Sequence, residues 1–418
     1  MSEALFESDF DRISSKQWMD KIVKDLKGGS FENLNWNLDE HTLIEPFYTI
    51  ERNKDLDTPI HQEIISKIVN PSWKIIQNLN HASIEEYEKA LDSGVDVIQV
   101  NEKQILINKA SLVCAVSSKQ SLKSIKSKYP KVKLLTDPIN DWVNGDSPDL
   151  NLELLNEKGI EIGISGLAFH NAGADDFLES ALILSSLNEY LHYLKSTDPK
   201  SLENRKISIE IGIGINFYLG IAKIRAIRIL LSQLLKEYDI KNLSVSINAV
   251  TSAYYNSHKD RYTNLLRHTT MGLAAVIGNA DGLSISPFEK ENPFSNRLAR
   301  NIQHLLKEES YMDKVMDMMA GSYFMEELTL TFIDKTWSEF LRIEEKGGFI
   351  NNMRNGSIKE QIKKQHSDRL AKINSEKRTM IGVNKYQIEN EEILDNEADK
   401  PASKELWILD PITLSKEI

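Results

Sequence analysis

The 418-residue chain contains one cysteine, Cys114. A single thiol cannot close an internal disulfide, so the fold does not depend on an oxidising compartment. Cys114 lies in the apolar run Leu112-Val113-Cys114-Ala115-Val116, where a buried core thiol is expected rather than a nucleophile. Positive charge is scarce: 51 Lys and Arg against 62 Asp and Glu leave a net charge of −11. Nucleic-acid binding needs a concentrated basic face, so nucleic acid is not an expected partner. Long apolar runs are missing. The best stretch, 207–224, is broken by Glu210, Asn216 and Lys223, short of the roughly 18–20 apolar residues of a membrane span. No membrane contact is expected. Residues 1–11 are acidic and lack the apolar core of a signal peptide, so a cytoplasmic location is expected. The nine histidines form no H-x₂₋₄-H pair, and no Asp-x-His-x-x-Gly segment occurs. No metal site is expected.

What is present is a β/α alternation. The first 60 or so residues show none and read as an arm, with a helix over 16–26 ended by Gly28-Gly29, then an extended segment over 44–50. From Trp73 onward, short β-rich runs alternate with longer amphipathic ones. Strands are expected at 73–79, 95–100, 112–116, 132–135, 161–165, 207–214, 243–248 and 283–287. Helical stripes lie between them, such as Phe177, Ala181, Leu184, Leu187, Leu191 and Leu194. Eight strand–helix units imply parallel pairing and closure into a (β/α)₈ TIM barrel; an open doubly wound sheet is the alternative. The expected organisation is an arm (1–60), a barrel (61–350) and C-terminal helices with a tail (351–418). Helices are expected at 297–309 and 325–342. A Lys- and Arg-rich helix near 358–373 reads as a solvated face, and 389–400 as a mobile acidic tail.

The late strands alternate strictly. Ile207, Ile209, Ile211 and Ile213 oppose Ser208, Glu210, Gly212 and Gly214, and the next two strands repeat the pattern with Ser244, Ser246 and Asn248, then Ser284 and Ser286. In a barrel the apolar set must meet the helices, so the small polar set faces the lumen. An ordinary lumen is filled with branched aliphatics. This one is either a channel for an elongated ligand or a core of polar side chains and water. Glu210 would need a partner there. Gly212-x-Gly214 with Gly220 lacks dinucleotide-loop spacing. His170 follows a strand and belongs to the rim of the barrel. Arg225 and Arg228 read as ion-pairing surface residues.

Several ordered segments resemble the methylmalonyl-CoA mutase family. They include Asp25-Leu26-Lys27-Gly28 and Pro46-Phe47-Tyr48-Thr49 early in the chain, then Phe169-His170-Asn171-Ala172-Gly173-Ala174 and Ala222-Lys223-Ile224-Arg225-Ala226. Tyr262-Thr263-Asn264-Leu265-Leu266-Arg267 and the specific run Ser295-Asn296-Arg297-Leu298-Ala299-Arg300-Asn301-Ile302-Gln303 follow, and Gly382-Val383-Asn384-Lys385-Tyr386 closes the set. The resemblance spans roughly residues 20–390. It implies a radical isomerase that uses adenosylcobalamin to interconvert methylmalonyl-CoA and succinyl-CoA, with the CoA chain threading the lumen. It also implies departures. Catalytic chains carry Thr-x-Arg-Gln-Tyr-Ala-Gly at the first strand; here Ile76 replaces the arginine and Asn78 the tyrosine. Asn248 and Ser284 stand where the family has histidines. The expected protein is therefore a small, non-catalytic subunit that binds no cofactor itself. Its partner would be a large catalytic mutase subunit carrying adenosylcobalamin, and the isolated chain could pair with itself. The alternatives are an active acyl-CoA mutase barrel served by a separate cobalamin-binding chain, and a CoA-ester-binding pseudoenzyme. Candidate lumen ligand contacts are His170, Ser208, Glu210, Ser244, Ser246 and Ser286.

Overall fold

A computed structural model describes residues 13–38, 42–49, 51, 60–80, 82–198, 202, 205–240, 243–289, 292–387 and 403–418. Eight parallel strands close into a barrel. In chain order they are β1 (Lys74–Asn78), β2 (Val97–Asn101), β3 (Leu112–Ala115), β4 (Lys133–Thr136), β5 (Glu161–Ser165), β6 (Lys206–Ile213), β7 (Ser244–Thr251) and β8 (Gly282–Ser284). β8 closes the ring by pairing with both β7 and β1. Every strand falls on an expected run. The last is shorter than expected: Ser286 turns away to bridge Thr251, and Pro287 has no amide to extend a ladder.

Polar caps start the connecting helices. Ser83 and Glu86 form a reciprocal capping box before Ile84–Asp92. Asp175, Asn216, Asp260 and Asn292 each accept a backbone N–H at the start of Asp176–Thr197, Phe217–Glu237, Arg261–Ile277 and Pro293–His304. The outward strand residues are buried under these helices: Ile75, Ile98, Leu112, Cys114, Ile162, Ile164 and Ile207 through Ile213 at every second position. Two helices are buried over most of their faces, 176–197 and 217–237. A third, Tyr323–Glu345, packs over both, so they are covered on two sides.

That second cover corrects one expectation. Arg225 is fully buried rather than on the surface. It donates to both oxygens of Asp317 at 3.0 Å, to Glu326 at 3.0 Å and to Thr329 at 2.7 Å. Arg228 is buried too and reaches the Asn279 carbonyl and Asp281. The helix Ser357–Asn374 likewise buries Lys359, His366 and Arg369 beside Ile358, Ile362 and Ile373, so its basic face is not simply solvated. The acidic tail expected at 389–400 lies outside the described residues.

The arm docks on the body through Thr42, buried beside Lys335, and through Tyr48, which meets Phe324 at 5.3 Å. Its helix, Ser15–Asp25, buries no residue, and Trp18 stacks on Phe47 at 4.7 Å within the arm itself. Ile13, Val23, Trp36, Leu43 and Phe47 are exposed. No helix among the described residues is long and apolar enough to cross a membrane.

Candidate functional site

Parallel register puts paired residues on the same face, so the ladders define the lumen. Ser208 pairs with Gly163 and Ser246; Glu210 pairs with Ser165 and Asn248; Ser284 pairs with Ile76 and Val250. The inward set continues through Asn78, Gln99, Val113, Ala115 and Leu135. The two strand faces differ in burial. Nearly all outward residues are buried, whereas Ala115 and Asn78 are exposed and Val97, Gln99, Val113, Ser208, Glu210, Ser246 and Asn248 keep part of their surface. Water therefore reaches the lumen, but side chains occupy its axis: Gln99 of β2 meets Glu210 of β6 across the ring.

The candidates divide by position. Asn248 donates to the Ser208 hydroxyl at 2.8 Å, and Gln99 donates to Glu210 at 2.6 Å, which supplies the partner Glu210 needs. Ser246 lies half-buried lower in the lumen, its hydroxyl directed to the Ile207 carbonyl. Ser244 is exposed at the N-terminal mouth. Ser286 sits past the end of β8, where its hydroxyl donates to the Thr251 carbonyl at 2.7 Å, so it braces two strands at the rim. Ile76 is buried in the lumen beside Gly282, where a side chain on residue 282 would collide with Ile76 and Asn248. Asn78 stands exposed at the top of β1 and caps the Asn80 amide; Ser284 is buried near the end of β8.

His170 is buried on the short helix Leu167–Asn171 that follows β5. Both its ring nitrogens are engaged: Nδ1 meets Glu179 at 2.6 Å and Nε2 meets the Ser252 hydroxyl at 2.8 Å. The chain of contacts continues inward. The Lys223 ammonium donates to Glu179 at 2.5 Å, Asp176 at 2.9 Å and the Gly212 carbonyl at 2.7 Å, while the Gly212 amide donates to Glu179. Burial pushes the Asp176 carboxyl up, but the Lys223 charge and hydrogen bond, together with the nearby His170 and Arg369, outweigh it and hold the group below the ordinary range. For Lys223 burial acts downward, and the two carboxylates reverse the sign. His170, Asp176 and Glu179 are close enough to ligate a metal, yet the Lys223 ammonium already bridges the two carboxylates. The sequence reading found His170 but missed Glu179, Lys223 and Ser252. The visible signal was Glu179 and Lys223 among the apolar residues of two long helices, since an ionised side chain that is buried there must be paired.

At the rim beyond β4, Asp137 accepts from the Ser165 amide at 2.7 Å and from Tyr190 at 2.6 Å. Burial pushes its carboxyl up to about 7, against those bonds. Asp141, pushed up by burial and by Asp137, also reaches about 7. The second rim histidine, His366, has one nitrogen on Tyr254 and the other on Glu417. Neither His170 nor His366 offers a free nitrogen that could ligate a cobalt ion, so these rim residues do not fit a corrin held through a histidine.

The match to the methylmalonyl-CoA mutase family model covers residues 153–406, more than half of the chain. The chain belongs to the methylmalonyl-CoA mutase family. It is 30% identical to the methylmalonyl-CoA mutase small subunit of Porphyromonas gingivalis over 92% of this chain and 71% of that one. It is 35% identical to the mitochondrial methylmalonyl-CoA mutase of Bos taurus and 32% identical to the large subunit of Propionibacterium freudenreichii. Those matches cover 64% and 57% of this chain but only 35% and 34% of the relatives, so it spans about a third of their length.

Proposed function

We propose that this chain is the small subunit of a two-chain methylmalonyl-CoA mutase and performs no isomerisation itself. A large subunit would carry adenosylcobalamin and the chemistry. The observation that carries this reading is the content of the lumen. Among the strand residues facing its upper half, Glu210 is the single ionisable group, and Gln99 holds it. Ile76, Asn78, Asn248 and Ser284 can neither bind a carboxylate by charge nor transfer a proton near neutral pH. The small-subunit relative supports the pairing, and so does the arm, whose apolar residues stay exposed on this chain alone. Native mass spectrometry of the chain mixed with the large mutase chain of the same source tests the pairing. The expected species is a one-to-one complex with cobalamin on the large chain. A cobalamin adduct on this chain alone contradicts the reading.

One feature favours a second reading, in which the barrel binds a CoA ester without converting it. The lumen is open to water, and its N-terminal mouth carries Lys74, Lys133 and Lys206 in the inward register, with Glu161 near Lys206 at 3.9 Å. Three ammonium groups at one end suit the phosphates of an elongated anion. Isothermal titration with CoA separates the readings: no heat of binding favours the plain subunit, and a micromolar site lost in K74E/K133E favours the binder.

A further inference from the structure

Residues 403–418 return to the barrel and cross the rim at the C-terminal ends of its strands, the end where barrels of this class carry their ligand-binding loops. The crossing can be followed contact by contact. Trp407 stacks on Trp142 at 6.0 Å, and the Leu409 amide donates to the Val143 carbonyl at 2.8 Å, both in the loop region after β4. The Ile412 amide donates to the Asn171 carbonyl at 2.7 Å, after β5. The Ser415 hydroxyl donates to the Asn256 carbonyl at 2.7 Å, after β7, and Glu417 meets His366 at 2.9 Å. Two side chains of the segment, Leu409 and Leu414, are buried. Leu406, Pro411 and Glu417 remain exposed.

The seat is incomplete. A cavity of about 310 Å³ lies between the segment and the strand ends, lined by Ser165, Glu210, Asn140 and Asn171 on the barrel side and roofed by Leu409 and Pro411. A protein core leaves few gaps larger than a water molecule. This segment therefore covers the lumen wall at Ser165 and Glu210 without packing into it.

We propose that residues 403–418 form a displaceable strap that narrows the β4–β7 side of the lumen mouth. With the strap seated, Ser165 and Glu210 face a partly roofed cavity and keep only part of their surface. With it lifted, they face solvent or whatever docks on that rim. The proposal stands on the contacts of this chain and does not depend on the subunit reading.

The test uses the full chain with Ser165→Cys as a reporter. The native thiol is silent, since Cys114 is buried. Modification by a small aromatic disulfide reagent is followed in this protein, in S165C/L414D and in S165C with residues 403–418 deleted. The expected result is labelling at least tenfold faster in both strap variants. Equal rates in all three would mean that the strap does not cover the site. If the deleted protein does not fold, L414D decides alone. Hydrogen exchange on the unmodified chain tests displacement. The Leu409 and Ile412 amides are expected to exchange at least tenfold faster than the Ile209 amide in β6. Exchange as slow as that of β6 would make the segment a fixed part of the fold and overturn the proposal.

Discussion

Replacing Lys223 with methionine should be among the most damaging single changes in this protein. The side chain is fully buried, and its ammonium neutralises Asp176 and Glu179 at 2.9 and 2.5 Å. Methionine fills much of the same volume but leaves two buried carboxylates facing each other without a cation. Removing one partner from a buried pair typically costs about 3–5 kcal/mol. Unfolding entropy of about 2.1 cal/mol/K per residue, over the whole chain, converts that loss to a fall of about 3–6 °C in Tm. The pH dependence gives the sharper signature. In the native protein Asp176 is held below the ordinary range, so its contribution is full above the unfolded value of 3.8 and is lost below it, as pH falls through the lowered folded value. Without Lys223 the sign reverses. The carboxyl is raised, so the penalty is full at pH 8 and shrinks toward pH 5 as a proton is taken up. Urea denaturation at both pH values measures this, and adding Glu179→Gln should recover at least about 1 kcal/mol. A loss below about 1 kcal/mol, or an equal loss at both pH values with strict additivity of the two substitutions, would refute the reasoning.

Other consequences follow from the same geometry. A methyl group at residue 212 would lie 2.5 Å from the Cγ atom of His170, a ring fixed at both nitrogens. Gly212→Ala should therefore cost about 1–3 kcal/mol in urea denaturation, as overpacking does. Asp141 is raised to about 7 by burial and by Asp137. A raised carboxyl binds more protons folded than unfolded, so stability should decline between about pH 4 and pH 7. Asp141→Asn should flatten that decline in thermal melts across the range, and an unchanged slope would place the effect elsewhere. Burial and the Glu102 charge push the Cys114 thiol up to about 12. A colourimetric thiol assay at pH 8 should find no reactive group in the native protein and one in 6 M urea.

The barrel was legible because its strands sit in regular alternation. Each outward Ile in β6 needs a helix above it, and each intervening Ser or Gly can then face only the lumen. The state of the lumen was not legible from β6 to β8 alone. It depended on Val113, Ala115 and Gln99 from the other half of the ring, whose inward direction follows from register rather than from composition. Arg225 was misplaced because helix periodicity shows one buried face and cannot show a second layer. Only the packing of 323–345 on 217–237 turns that arginine into a core residue. The strap was invisible for a similar reason. Nothing in Trp407, Leu409 or Leu414 says which surface they return to, and the contacts of the segment lie more than 150 residues away in Ser415–Asn256 and over 240 away in Ile412–Asn171.

The central claim is that this barrel supports a mutase without performing its chemistry. Isomerisation of methylmalonyl-CoA should be assayed with adenosylcobalamin for this chain, for the large mutase chain of the same source, and for the two together. The account predicts no turnover by this chain and full turnover only with the large chain present. Turnover by this chain supplied with only a separate cobalamin-binding domain would contradict it.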